Sequence, residues 1–240
     1  MRRVFLFLFC LTTSLASAQE VKVDSIAIRL IDKMSAVIGE MSSLRFQLET
    51  SNDHLNDLHE NERYFSNHEI FMTGPNKMAV HTDGDRGNKA IWYNGTYFNY
   101  YSFDENNYVT LKAPGTILNM IDSMNSTFGV DFPAADLFYP TLAADLVDNF
   151  DQVRFLGRKE VDGQDCFFVM ATSETMTFQL WISNSMMFLP KRFLIIDKAN
   201  GYQQHQGTFK EWEINPTLPE NIFEFVPPKS AKLISILSKS

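Results

Sequence analysis

One stretch of the sequence brings together side chains of the kinds that bind metals: Asp53, His54, Asp57, His59, Glu60 and Glu62. Its two histidines are five positions apart, a spacing that neither a helix nor a strand would aim at a single ion. Mixed charges without such a spacing are typical of a solvated connection between two elements. We therefore favour a connecting segment over a metal site, and we expect no metal and no cofactor.

Nucleophiles are present, but none lies in a catalytic setting. No serine occurs in a G-x-S-x-G or an S-x-x-K motif. Cys166 lies in the apolar run 166–170, where an inert buried thiol is the expected state because the reactive thiolate is disfavoured away from water. His68, His81 and His205 are isolated in sequence, and nothing shows whether they converge. The residue patterns thus favour a protein that is not an enzyme.

Phenylalanine and methionine are unusually frequent, with 21 and 11 copies in the chain. Both side chains fill irregular apolar space and adapt to flexible ligands, so they are suited to lining a cavity. An ordinary core that is rich in the same residues remains an equal alternative. Strand alternation places Phe168 and Met170 on one face. The predicted cavity residues are Met34, Met120, Met124, Phe168, Met170 and Trp181.

The N-terminus predicts export. Arg2 and Arg3 precede an apolar run over residues 4–15 and the triplet Ala16-Ser17-Ala18, which is the pattern of a secretory signal peptide. We expect residues 1–18 to be removed before Gln19, and residues 19–240 to form a single domain in the periplasm, with no integral membrane segment after processing. Loss of two arginines would take the formal net charge from -8 to -10. An acidic chain with scattered basic residues is unsuited to nucleic acid.

Hydrophobic periodicity predicts the elements that position these residues. Apolar spacings of three and four predict a helix over residues 24–41 and shorter helices within 116–150, with Asp24 or Ser25 and Thr116 as caps. Alternation with a period of two predicts strands from Leu44 to residue 111 and from 153 to 214. Asn94-Gly95 predicts a two-residue type I′ turn. The fold class is therefore α+β, with helices preceding or interrupting an antiparallel sheet.

Several motifs resemble a known family. They are Trp92-Tyr93-Asn94-Gly95, the segment 128–137 (FGVDFPAADL), the segment 161–166 (VDGQDC), Gln179-Leu180-Trp181-Ile182 and the segment 223–228 (FEFVPP). Together they resemble the domain-of-unknown-function family 2092, predicted periplasmic proteins of the LolA and LolB lipoprotein-carrier superfamily. The resemblance implies a strongly curved antiparallel sheet, an unclosed barrel, with helices over its concave face and an apolar cavity in which relatives hold acyl chains. No counterpart is found for the arginine that latches the lid in LolA.

The resemblance and the composition together predict function at a coarse level. We expect a non-enzymatic periplasmic binding or carrier protein for a lipid-like or apolar ligand, held between the sheet and the helices of residues 24–41 and 116–150. The alternative is an envelope protein interaction or sensor module without a small ligand, whose protein partner the sequence does not identify.

Overall fold

The computed structural model describes residues 22–238. The predicted signal peptide and its cleavage site before Gln19 lie outside this part of the chain, as does Cys10, the cysteine within the apolar run of residues 4–15. The helical elements are α1 (Ser25–Gly39), α2 (Ile117–Phe128), α3 (Leu142–Asn149) and two 3-10 helices, Ala135–Phe138 and Glu220–Phe223. Within residues 22–238, no helix is long and apolar enough to cross a membrane.

The strands form one sheet. Those of the first half are β1 (Ser43–Leu55), β2 (Asn61–Thr73), β3 (Lys77–Gly84), β4 (Lys89–Tyr93), β5 (Tyr97–Ser102) and β6 (Asn107–Lys112). Those of the second half are β7 (Gln152–Val161), β8 (Gln164–Thr172), β9 (Met176–Ser183), β10 (Pro190–Asp197), β11 (Gln203–Ile214) and the short β12 (Lys232–Leu233).

The sheet is curved but not closed. Its strand order is β12-β6-β5-β4-β3-β2-β1-β11-β10-β9-β8-β7, and all pairs are antiparallel except β12 with β6. The two edge strands, β7 and β12, do not pair with each other in the described part of the chain. This confirms the predicted fold class: α+β, with a strongly curved, mostly antiparallel, unclosed sheet and helices over its concave face.

The helices form where the predicted caps and apolar stripes are. The Asp24 carboxylate accepts the Ile26 N–H at the start of α1, and the Thr116 hydroxyl accepts the Asn119 N–H at the start of α2, which satisfies N–H groups that the first helical turn leaves free. The buried stripe of α1 includes Ile31 and Met34, and α1 packs on β7 and α3. All three helices contribute side chains to a single core over the concave face.

Two local predictions are corrected. The stretch from Asp53 to Glu62 is not a solvated connection, because β1 continues to Leu55 and β2 begins at Asn61, so only residues 56–60 form the turn. Asn94-Gly95 is not a type I′ turn. Gly95 has a φ of 91°, but Asn94 does not share the positive φ that this turn requires. Instead, the Asn94 side-chain oxygen accepts the N–H groups of Thr96 and Tyr97 and closes a longer loop.

Candidate functional site

The concave face of the sheet carries an apolar row across four neighbouring strands. Ile70 on β2 lies opposite Val80 on β3, which lies opposite Ile91 on β4, which in turn lies opposite Tyr100 on β5. Directly opposed residues of an antiparallel sheet point to the same face, so these four side chains form a continuous band. We call Ile70, Val80, Ile91 and Tyr100 the apolar row.

A polar row lies two residues further along the same strands. His68, Thr82, Lys89 and Ser102 oppose one another in the same order and on the same face. The His68 ring is hydrogen-bonded on both sides, with Nε2 at 2.9 Å from the Thr50 hydroxyl and Nδ1 at 2.9 Å from the Thr82 hydroxyl. Two residues of strand span about 7 Å, so the two rows are immediate neighbours.

A cavity of about 930 Å³ lies over both rows. Its far wall is the segment 129–138, which follows α2 and which we call the roof. Gly129 ends α2 in the left-handed conformation, with a φ of 70°, and redirects the chain into the roof. Phe138 of the roof stacks on Phe46 of β1 at 5.7 Å, and Phe132 packs edge-on to Phe98 of β5 at 6.2 Å. The roof is thus fixed to the sheet by aromatic contacts.

The rim beyond the polar row is formed by the β1–β2 hairpin and the turn between β3 and β4. Arg86 of that turn places its guanidinium 3.1 Å from His54 Nε2 and 5.4 Å from the centroid of the Tyr64 ring. The His54 and Tyr64 rings meet edge to face at 5.5 Å. Arg86, His54 and Tyr64 all line the cavity, so this end of the lining is aromatic and cationic.

Burial sets the protonation of the two histidines that line the cavity, His68 and His205. Burial, together with smaller contributions from the charge of Lys89 and from His205, lowers the pKa of His68 from 6.5 to about 4. Burial also lowers the pKa of His205, against the opposing effect of the Asp131 carboxylate. Both rings are therefore neutral at pH 7, and Lys89 supplies positive charge to the polar row.

Comparison with known proteins then identifies the family. Residues 27–237 match the family model described as "Predicted periplasmic protein (DUF2092)". The chain belongs to the DUF2092 family. This confirms the resemblance found in the sequence. The full sequence has no significant match among curated proteins.

Solved structures share the fold of this DUF2092 protein. An uncharacterized conserved protein from Thermus thermophilus is 11% identical, with 87% of this chain and 98% of that chain covered and a TM-score of 0.53. The lipoprotein LppX from Mycobacterium tuberculosis is 14% identical, with 82% and 98% covered and a TM-score of 0.50. At such identities the likeness concerns the fold alone.

Of the six residues predicted from the sequence to line a cavity, three are on the helices. Met34, Met120 and Met124 are fully buried in the core of the DUF2092 domain, packed between the helices and the sheet. They do not belong to the lining of the cavity described above.

The other three lie on the opposite face of the sheet. Phe168 and Trp181 oppose each other on β8 and β9 and stack at 4.8 Å, and Met170 follows Phe168 on the same face. The side chains that β8 directs into the core are Phe167, Val169 and Ala171. Contact of a ligand with any of the six stays a prediction, and the cavity walls consist of a different set of residues.

The sequence did not single out the polar row. In the sequence, His68 is an isolated histidine, and no pattern distinguishes Lys89. The available signal was alternation, because His68, Ile70 and Met72 fall on one side of a strand, as do Val80 and Thr82. That signal places polar and apolar residues on one face, but it does not say which residues of neighbouring strands meet.

Cys166 and Asp53 are two further groups that could do chemistry, and each is held by its surroundings. Cys166 is fully buried, as the sequence predicted, and burial raises the pKa of its thiol to about 11, which leaves no reactive thiolate at neutral pH. Asp53 forms an ion pair with Arg63 at 2.7 Å. Within residues 22–238, no group of three or more His, Cys, Asp or Glu side chains is arranged to hold a metal ion.

Proposed function

We propose that this protein is a non-enzymatic periplasmic binding or carrier protein for a lipid-like ligand, which lies in the cavity between the concave face and the roof. The observation that carries the proposal is the cavity itself, whose floor is the apolar row and whose roof contributes Phe132, Leu137 and Phe138. A volume of about 930 Å³ lies within the range of roughly 300 to 1,000 Å³ that is usual for small-molecule sites.

Packing distinguishes this arrangement from an ordinary core. Protein interiors pack at near-crystal density and leave few voids larger than a water molecule. The helices meet that standard, because Met34, Met120 and Met124 are sealed in the core. The floor beneath the roof does not, since Ile91 and Tyr100 retain partial exposure and line connected open space. An apolar surface kept open in this way is suited to an acyl chain.

Binding of a fluorescent fatty acid tests the proposal. We expect the wild-type protein to take up the probe and Ile91→Trp to abolish uptake, because an indole at the centre of the apolar row would fill the space that the acyl chain needs. Tyr97→Trp is the matched control, since Tyr97 is exposed and lies outside the cavity lining. Both variants should keep the wild-type melting temperature.

Two results would contradict the proposal. If Ile91→Trp loses roughly 1 to 3 kcal/mol of stability, the site is a filled core that has been overpacked. If the wild-type protein takes up no fatty acid and native mass spectrometry of the protein purified from its own envelope detects no lipid, the alternative of an envelope interaction or sensor module takes its place.

The cellular part of the proposal is tested separately. The family description supports the periplasm, and the signal-peptide pattern predicts that the mature chain begins at Gln19 as a single domain. N-terminal sequencing of the protein from a periplasmic extract should return Gln19 as the first residue. A chain that starts at Met1, or one acylated on Cys10, would contradict export by this route.

A further inference from the structure

Two cationic side chains of the cavity have no carboxylate partner. Lys89 belongs to the polar row and Arg86 to the rim, and both line the cavity. Neither takes part in any of the ion pairs found within residues 22–238. Lys89 is partly buried, and desolvating an unpaired cation costs free energy, whereas Arg86 is exposed at the rim. Two such cations in one cavity are suited to an anion that arrives from outside.

Two of the carboxylates in the cavity lining are already engaged by other groups. Asp53 accepts two hydrogen bonds from Arg63 and one from the Gln204 N–H. Asp197 accepts the N–H groups of Ala199 and Asn200 and the Asn200 side-chain amide, which closes the turn after β10.

The other two carboxylates of the lining, Asp131 and Asp136, belong to the roof. Asp131 accepts a hydrogen bond from Asn125 at 3.0 Å. Its negative charge also acts on His205, whose pKa it raises against the effect of burial. Asp53 and Asp197 lie on the sheet but are engaged by Arg63 and by the turn after β10, so the remaining carboxylates of the lining are on the roof, whereas the cations Lys89 and Arg86 are on the sheet and its rim.

We propose that Lys89 and Arg86 bind the carboxylate or phosphate headgroup of an amphiphile whose acyl chain lies over the apolar row. This inference rests on the proposed function and names the class of ligand that the site takes. Arginine and lysine differ usefully here, because a guanidinium offers a planar fork of donors to an oxyanion, whereas an ammonium acts as a compact point charge.

The neighbouring histidine provides a readout that does not depend on affinity. The charge of Lys89 contributes to the low pKa of His68. An anion bound beside Lys89 would offset that charge, so occupancy by an anionic amphiphile should raise the pKa of His68. An uncharged amphiphile in the same cavity should leave this electrostatic contribution in place. Titration of the His68 ring by NMR distinguishes the two cases.

The experiment compares the dissociation constants of a saturated fatty acid, the alkyl phosphate and the alcohol of the same chain length. A charge-assisted hydrogen bond contributes enough to favour the two anions over the alcohol by at least about tenfold in the wild type. Lys89→Met and Arg86→Gln should each reduce this preference, and the double variant should abolish it while still binding the alcohol. Lys112→Met is the matched control, because Lys112 is exposed on β6, lies outside the cavity lining and should preserve the preference.

The outcomes separate the headgroup inference from the proposed function. Equal binding of acid, phosphate and alcohol to the wild type would overturn the headgroup inference and leave the carrier function standing. Failure of all three amphiphiles to bind would overturn the carrier function. If inorganic phosphate alone binds as tightly as the alkyl phosphate, the polar row is a site for a free anion, and the assignment to an amphiphile is wrong.

Discussion

The apolar row and the polar row lie on the same strands, on the same face and two residues apart, yet they differ in chemistry at every position. Burial does not explain the difference, because Ile70 and His68 are equally inaccessible, each at 6% relative exposure. Hydrogen bonding does explain it. Both ring nitrogens of His68 have a hydroxyl partner, whereas the neighbours of Ile70 across the sheet are apolar. A buried face can therefore change polarity within one step of the pleat when the polar residues satisfy one another.

The largest expected effect on stability comes from removing the aromatic ring that joins the sheet to the roof beside the apolar row. Phe46 flanks this row on β1, is 2% exposed and stacks on both Phe138 and Trp212. Phe46→Ala should lower the free energy of unfolding by about 3 to 5 kcal/mol, because it removes a buried ring and leaves a cavity. Denaturant unfolding measures the change. Phe65→Ala is the control, since Phe65 on β2 is 57% exposed and should change stability by less than about 0.5 kcal/mol.

The second effect is a dependence of stability on pH, which the polar row should produce through His68 and the apolar row, which has no histidine, should not. The folded-state pKa of His68, about 4, lies below its ordinary value of 6.5, so the unfolded chain binds a proton first as the pH falls. His68 contributes nothing to the pH dependence above about 6.5, and stability should fall between pH 6.5 and pH 4 by up to about 3 kcal/mol.

Replacing the histidine checks the origin of that pH dependence. His68→Gln keeps a side chain that donates and accepts hydrogen bonds but does not titrate. Unfolding curves between pH 7 and pH 4, a range that spans the pKa of His68, should therefore be flatter for this variant than for the wild type. An unchanged slope would assign the effect to other groups, such as His205 and His81, whose pKa values burial also lowers.

A reciprocal pair of isosteric substitutions tests whether each row depends on its own chemistry. Val80→Thr places a hydroxyl in the apolar row and should cost about 1 to 3 kcal/mol if that hydroxyl remains unpaired. Thr82→Val removes the hydrogen bond to His68 Nδ1 and should cost about 1 kcal/mol. Thermal or denaturant unfolding of both variants measures these two costs. Equal stability of the wild type and Val80→Thr would show that the apolar row tolerates polarity, and the contrast between the rows would fail.

The smallest expected change in stability is that of Lys89→Met, and it tests whether Lys89 serves binding and not folding. Lys89→Met should change the free energy of unfolding by less than about 0.5 kcal/mol, because Lys89 makes no ion pair within the described residues. It should also raise the pKa of His68 in the free protein, since the lysine charge is one cause of its depression. NMR titration measures the shift. A large loss of stability would instead assign Lys89 a structural role.

The sequence predicted much of the fold because its signals are local. The apolar residues of α1 recur at helical spacing, Thr116 caps α2, and the alternation of β1 begins at Leu44, each within one element. The local signals were weaker where the backbone conformation depends on hydrogen bonds of a side chain or on pairing with another strand. At Asn94 a side-chain oxygen closes the loop, and at Asp53 strand pairing continues through charged residues.

The candidate site depended on contacts that no local pattern encodes. Choosing residues by type selected Met34 and Met120, which are sealed in the core, and Phe168, which is on the other face. Composition identifies suitable lining materials, but it does not say where space remains open. The cavity is left between the sheet and the roof, and its extent depends on where Phe138 and Phe132 attach the roof to the strands.

The sequence by itself thus determined the elements, the α+β class and the family, since periodicity, caps and motifs are properties of short segments. Only the tertiary structure decided which residues share a row. His68 and Thr82 are 14 positions apart and meet through the register of β2 and β3, while Asn52 and His205 are 153 positions apart and meet through β1 and β11. Register is set by the pairing of whole strands and by burial of one face, and a shift of a single residue would send every one of these side chains to the opposite side of the sheet.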